Sequence, residues 1–277
     1  MRALPVRLFC VLMLLGSAAA SAVDTYTFGV VPQQSANTLA STWVPLLNAL
    51  GSRAGLAINF RTAPTIPEFE RRLAAGEYDF AYMNPYHYTV FSRNPGYRAF
   101  AKAKDTLIKG IIVVSTDSTI RDPRELAGAE LAFPAPASFA ASVLTRAFLT
   151  KQGIAFTPKY VASHDSVYKG VAAGLYPGGG GVVQTLHSVD PDLRERLRIL
   201  WTTEGFTPHA FAAHPRVPAP VVQRLTAAMT AIDQNDQDKA LLTALSFKGF
   251  VAGQDRDWDD VRGLGIDLLE RLSQPVQ

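Results

Sequence analysis

The chain has 277 residues, 48% of them hydrophobic and 18% charged, with 27 basic against 24 acidic residues and a formal net charge of +3. With so even a balance and no basic run or basic-aromatic array, a nucleic-acid footprint is excluded, and a single cysteine excludes a disulfide framework. A chain of this length can bury enough apolar surface to be held by core packing alone.

Arg2 and Arg7 precede an apolar run over residues 8–15, followed by Gly16 and the small-residue stretch Ala18-Ala19-Ala20-Ser21-Ala22. This is the pattern of a secretory signal cleaved after about Ala22. The run is too short to span a bilayer, and no later segment reaches about 18 uninterrupted apolar residues. The expected product is an exported, periplasmic protein. Cys10 falls inside the leader, and Leu8-Phe9 before it does not resemble a lipoprotein processing site, so no lipid anchor is expected.

Residues 25–31, TYTFGVV, read as a first strand. Leu39, Trp43, Leu46, Leu47 and Leu50 then recur at helical spacing, with Gly51 as the expected stop; Pro45 either kinks this helix or starts a second piece capped by Thr42. A strand over 56–61 and a helix over 66–75 follow. The run EYDFAYMNPYHY at 77–88 holds four tyrosines. It reads as a third strand with Tyr78, Phe80 and Tyr82 on one face, stopped by Asn84-Pro85, where the proline can open a helix. Core packing accounts for those tyrosines as well as ligand contact does. Strands over 97–103 and 109–115 come with no helix between them, a change of rhythm that suggests a crossover into a second lobe.

The alternation then restarts. A strand over 130–133 leads to a helix over 138–152 with Val143, Leu144, Ala147 and Phe148 facing inward, then a strand over 157–161 and a helix over 164–173 capped by Ser163. Gly178-Gly179-Gly180-Gly181 lack the Lys-Ser/Thr of a phosphate-binding P-loop and read as a flexible turn before a short strand at Val182-Val183. Extended segments over 197–202 and 207–213 form the return crossover. Helices over 218–232, 237–245 and 258–272 finish the chain. The expectation is an α/β fold of two lobes, each a mixed, mostly parallel sheet flanked by helices, joined by two extended hinge crossovers. Lobe 1 takes residues 23–108 and 212–277, and lobe 2 takes residues 109–211.

Signs of catalysis are weak. The histidines after the leader are His87, His164, His187, His209 and His214, and none forms an H-E-x-x-H, H-x-H or H-x-x-x-H pair, so no metal site is expected. No G-x-S-x-G elbow is present. Anion binding has more support, because three helix starts follow strands directly: Gln33-Gln34-Ser35, Asn84-Pro85, and Ala137-Ser138 with Ser142 further on. Each offers unpaired backbone N–H groups and the positive end of a helix dipole, although Ser138 is equally explained as an ordinary cap.

These residues resemble those of the substrate-binding proteins of phosphate, phosphite and phosphonate ABC importers, a branch of the type II periplasmic binding fold. The matching stretches are Phe28-Gly29-Val30-Val31-Pro32 with Gln34-Ser35 and Leu39, Trp43-Val44-Pro45-Leu46-Leu47, and Asp79-Phe80-Ala81-Tyr82 with Asn84-Pro85. They continue with Ser138 and Ser142, Ser163-His164-Asp165-Ser166, and Thr207-Pro208-His209 ahead of Arg216-Val217-Pro218. The resemblance implies that Tyr82 or Met83, Ser138 and His164 surround an oxyanion, with Gln34 and Ser35 lining the cleft from the first lobe. Asn84, Tyr86, Ser142 and His209 complete the candidate set.

Two departures bear on the ligand. Phe139-Ala140-Ala141 stand where phosphonate binders usually carry a Ser/Thr run, and Val183 and His209 stand where aminophosphonate binders use acids. An aminophosphonate is therefore not expected, and the pocket should be more apolar than a phosphonate binder's. The implied partners are a small anionic ligand and an inner-membrane ABC permease, or alternatively a sensor kinase. The protein is expected to act as a monomer, without a cofactor and without enzyme activity. An α/β enzyme acting on a phosphorylated small molecule has only the cleft in its favour.

Overall fold

β1 (Thr25–Val30) runs into α1 (Ala36–Ala54) through Ser35, whose hydroxyl accepts from the Thr38 amide and caps the helix. The computed structural model describes residues 24–269 and residue 272; the expected leader, its cleavage site and Cys10 lie outside the described residues. α1 does not stop at Gly51. It carries Pro45 inside it and ends at Gly55, which has φ +66. Gly51 serves packing instead, since a Cβ there would stand 2.7 Å from the Leu56 carbonyl oxygen. The helix lays Leu39, Trp43, Leu46, Leu47 and Leu50 into the core, as the spacing predicts.

β2 (Ala57–Arg61), α2 (Ile66–Ala74), β3 (Phe80–Met83), α3 (Pro85–Phe91) and β4 (Arg98–Ala103) follow. The chain then crosses to a second sheet through β5 (Gly110–Ser115) and β6 (Glu130–Phe133). A π-helical turn, Phe139–Leu144, passes into α4 (Thr145–Lys151), and then come β7 (Thr157–Tyr160), α5 (His164–Ala172) and β8 (Gly179–Val182). Two short helices, α6 (Val183–His187) and α7 (Pro191–Glu195), precede β9 (Leu197–Thr202). β10 (Ala210–Ala213), α8 (Ala219–Thr230), α9 (Asp236–Ala244), β11 (Phe250–Ala252) and α10 (Asp259–Arg262) return to the first sheet.

The strand order is β11-β4-β10-β3-β1-β2 in the first sheet and β7-β6-β8-β5-β9 in the second. Both sheets share one plan. Three parallel strands linked by helices (β2-β1-β3 and β7-β6-β8) are followed by an antiparallel strand that has just arrived from the other lobe. β10 pairs with β3 in the first sheet, and β5 pairs with β8 in the second. The two crossing segments touch midway, where Ile108 and Phe206 exchange backbone hydrogen bonds of 2.9 and 3.0 Å.

Three further sequence expectations are corrected. Gly179, Gly180 and Gly181 are a strand between β6 and β5, not a turn, because the elements above and below approach too closely for any side chain. The π-turn rotates the following helix, so the buried face is Ala140, Ala141, Ser142, Thr145 and Leu149; Ala147 is exposed and Phe148 half-buried. α10 ends at Arg262 rather than running on toward residue 272. The sequence reading also passed over α6, α7 and β11.

Candidate functional site

Asn84 closes β3 and caps α3. Its Oδ1 accepts from the His87 amide at 2.8 Å, which fixes the amide group and turns Nδ2 toward the other sheet, 3.2 Å from the Ala137 carbonyl oxygen. Beneath it the buried pair His87 and Glu70 meets at 2.9 Å, and His87 Nε2 lies 3.0 Å from Asn84 Nδ2. The side chain at the end of β3 is thus held from two sides.

Facing it is the π-turn, pressed onto the glycines of the second sheet. A Cβ on Gly110 would stand 2.1 Å from the Ala140 carbonyl oxygen, and one on Gly180 would stand 1.8 Å from that of Ala141. Only bare backbone permits this approach, and it sets Ser138 at the mouth of the turn. Ser138 Oγ lies 3.3 Å from His164 Nε2, and His164 Nδ1 lies 3.0 Å from Thr185 Oγ1, which in turn meets the Tyr168 hydroxyl at 2.7 Å. Burial pushes the His164 imidazole down to about 3, so it is neutral at physiological pH.

His209 comes from the segment before β10. Its ring stacks on Tyr82 with centroids 4.7 Å apart and planes 15° off parallel. It is 2% exposed, and neither ring nitrogen has a hydrogen-bond partner among the described residues. Burial, with smaller contributions from His87 and His164, pushes this imidazole down to about 3. It therefore keeps one N–H with nothing to donate to.

These groups enclose a narrow inner cavity of about 10 Å³, lined by Gln33, Asn84, Ser138, Phe139, His164 and His209 among others. Gln33 also borders an outer chamber of about 50 Å³, where Gln34, Trp43, Tyr82, Gln184, Thr185 and Phe247 form much of the wall. Among the described residues neither space is lined by an Asp, Glu, Lys or Arg. Three hydrogen bonds join the two sides across them: His164 N to Gln33 O at 3.0 Å, Asn84 Nδ2 to Ala137 O at 3.2 Å, and Ser35 N to Asp165 Oδ2 at 3.4 Å. Asp165 is held above the usual carboxylate range, chiefly by burial.

Of the residues singled out from sequence, Asn84, Ser138, His164 and His209 meet at the inner cavity, and Gln34 and Tyr82 line the outer chamber. Ser35 sits exposed at the rim. Met83 and Ser142 are fully buried and line neither space; the Ser142 hydroxyl has no partner among the described residues. Tyr86 is not brought to the cluster, since its hydroxyl accepts from the Leu269 amide at 2.8 Å, beside α10. Gln33, Trp43, Gln184 and Thr185 were absent from the sequence-based set. For Gln184 and Thr185 the available signal was position, directly after the glycine strand in the second sheet. Phe139 and Ala140 line the inner cavity, while amides border the outer one.

Comparison with known proteins matches residues 28–258 to the family described as the periplasmic substrate-binding protein of phosphonate ABC transporters. A phosphate-import protein, PhnD, of Mycolicibacterium smegmatis is 22% identical, over 86% of this chain and 84% of its own length. Among solved structures, a binding-protein component of an ABC phosphonate transporter from Pseudomonas aeruginosa superposes with a TM-score of 0.81 at 14% identity, covering 88% of this chain and 86% of that one. The PhnD1 protein of Prochlorococcus marinus, solved in complex with methylphosphonate, also gives 0.81, at 15% identity, covering 89% of this chain and 99% of that one.

Proposed function

The chain belongs to the family of periplasmic substrate-binding proteins of phosphonate ABC transporters, and from that premise we propose that it captures a small phosphate- or phosphonate-like oxyanion in the inner cavity and delivers it, unchanged, to an inner-membrane permease. The observation that carries this reading is His209, a buried imidazole whose two ring nitrogens lack partners among the described residues and which lines the cavity between the two sheets. A buried donor left unpaired costs about 1–3 kcal/mol. An oxygen of a bound oxyanion removes that cost.

The ligand charge is met by dipoles rather than by a cation. The His209 N–H, the Ser138 hydroxyl and the Asn84 amide converge from both sheets, in a dry site where each such bond is stronger than in water. Lobe 1 is taken as residues 23–108 with 212–277 and lobe 2 as residues 109–211, hinged where Ile108 meets Phe206. Only the closed arrangement lets both lobes touch the ligand, so ligand binding shifts the population toward it in proportion to those contacts. The protein works as a monomer exported by the leader over residues 1–22, and the permease reads the closed form.

Calorimetric titration of the chain lacking that leader with phosphate, phosphite, methylphosphonate, sulfate and small carboxylates, paired with solution scattering, tests the reading. The expected result is one site for a phosphorus oxyanion and a compaction on binding. Failure of all these anions to bind overturns it. Recovery of a sensor kinase rather than a permease from membranes would change the partner and leave the site in place.

A further inference from the structure

We propose that the outer chamber is a second ligand subsite, one that takes an uncharged, hydroxyl-bearing substituent, so that the cargo is an oxyanion ester of a polyol rather than a bare or amine-bearing oxyanion. This rests on the reading that the oxyanion occupies the inner cavity.

The two spaces are neighbours divided by a thin partition. Gln33 lines both, Tyr82 lines the outer chamber while its ring stacks on His209 of the inner cavity, and Thr185 of the outer wall bonds His164 of the inner one. A ligand anchored at His209 therefore extends past Gln33 into the outer space.

That space is polar without being charged. The side-chain amides of Gln33, Gln34 and Gln184, the Trp43 indole N–H and the Tyr82 hydroxyl have no hydrogen-bond partner among the described residues. Trp43 is 3% exposed and Tyr82 7%, and both line the chamber with their rings packed into its wall. The three glutamines are half-buried, so their amides are free to bond whatever enters the chamber, and a partner that supplies both donors and acceptors suits them. Hydroxyl groups do both, and amides match them in both senses.

The aromatic wall suits the same chemistry. Trp43 and Tyr82 lie 4.7 Å apart between centroids and each meets Phe247 edge-on at 6.0 Å, so the three rings pack into one another along a single side. A wall of this kind covers the C–H face of a polyol. It does not surround a quaternary ammonium as an aromatic cage does. A primary amine has no carboxylate to meet among the residues lining either space.

The test is calorimetric titration of the leaderless protein with inorganic phosphate, glycerol phosphate, ethanolamine phosphate and choline phosphate. Glycerol phosphate is expected to bind at least about 10-fold tighter than inorganic phosphate, because two or three net hydrogen bonds are added, and tighter than either ammonium ester. Gln184→Leu should bring glycerol phosphate to within about threefold of inorganic phosphate and leave the latter's affinity unchanged. Gln184→Glu should reverse the order in favour of ethanolamine phosphate. Equal affinity for inorganic and glycerol phosphate in the unaltered protein, or a preference for either ammonium ester, overturns the second subsite while the oxyanion reading stands. If none of the four binds, both fall together.

Discussion

β3 and β8 hold the same place in their sheets, third in a parallel trio and next to the strand that crosses from the other lobe, yet they are built from opposite materials. β3 reads Phe80-Ala81-Tyr82-Met83, and its rings join a cluster with Phe28, Trp43 and Phe211. β8 reads Gly179-Gly180-Gly181-Val182 and carries no side chain until its end. The aromatic strand projects Tyr82 into the wall of the outer chamber. The glycine strand instead draws a wall in, since its bare surface lets the π-turn settle with its carbonyl oxygens where side chains would otherwise be. One topological position thus serves the site by filling space in one lobe and by vacating it in the other.

The sharpest way to break this contrast is Gly180→Ala. A methyl placed 1.8 Å from the Ala141 carbonyl oxygen must displace the π-turn or the strand, and the expected loss is about 3 kcal/mol or more in urea denaturation. The same exchange at Gly153, which has φ +70 and open space around it, should cost about 1 kcal/mol from backbone strain alone.

Acid probes both walls together. His164 and His209 titrate near 6.5 when unfolded and at about 3 in the fold. The unfolded chain therefore binds more protons between those values, and stability falls as pH drops below about 6.5, by up to ~1.4 kcal/mol per pH unit for each histidine. Denaturation midpoints measured from pH 7 to 5 should show that slope, and His164→Gln and His209→Gln should each remove about half of it. An unchanged slope in either variant identifies the wetter wall.

Asn84→Ala removes the α3 cap and the side-chain bond to Ala137 on the facing wall. The expected costs are about 1 kcal/mol of stability and about 10-fold in oxyanion affinity, read by calorimetry. Ser35→Ala should have the smallest effect, about 0.5–1 kcal/mol of stability from the lost α1 cap with affinity unchanged, because its bond across the cleft to Asp165 comes from the backbone amide.

Much of this was legible in the chain. The strand at 130–133, the α5 cap at Ser163 and the α3 cap at Asn84 follow from local propensity, and the two helix-free crossovers give the lobed plan. β8 was not legible, because glycine's local signal is for turns and what makes these glycines a strand is the crowding of Val167, Phe133 and Tyr168 around them. The π-turn was hidden for the same reason, since helical periodicity assumes the ordinary pitch. At the site, Ser138 and His164 could be proposed from family resemblance, but their meeting with His209 depends on how the lobes face one another. Tyr86 shows the reverse case: its place beside Tyr82 in sequence says nothing about the half-turn of α3 that carries it away.

The hydrogen bond from His164 N to Gln33 O joins the two sides through main chain at both ends. His164 is the first residue of α5, where the helix itself has no acceptor for that amide. In the open form proposed above, water takes the place of Gln33, and the proton becomes free to exchange with solvent. The deuterium uptake of this one amide is then a gauge of the open fraction, readable without a dye and insensitive to which side chains later occupy the cavity.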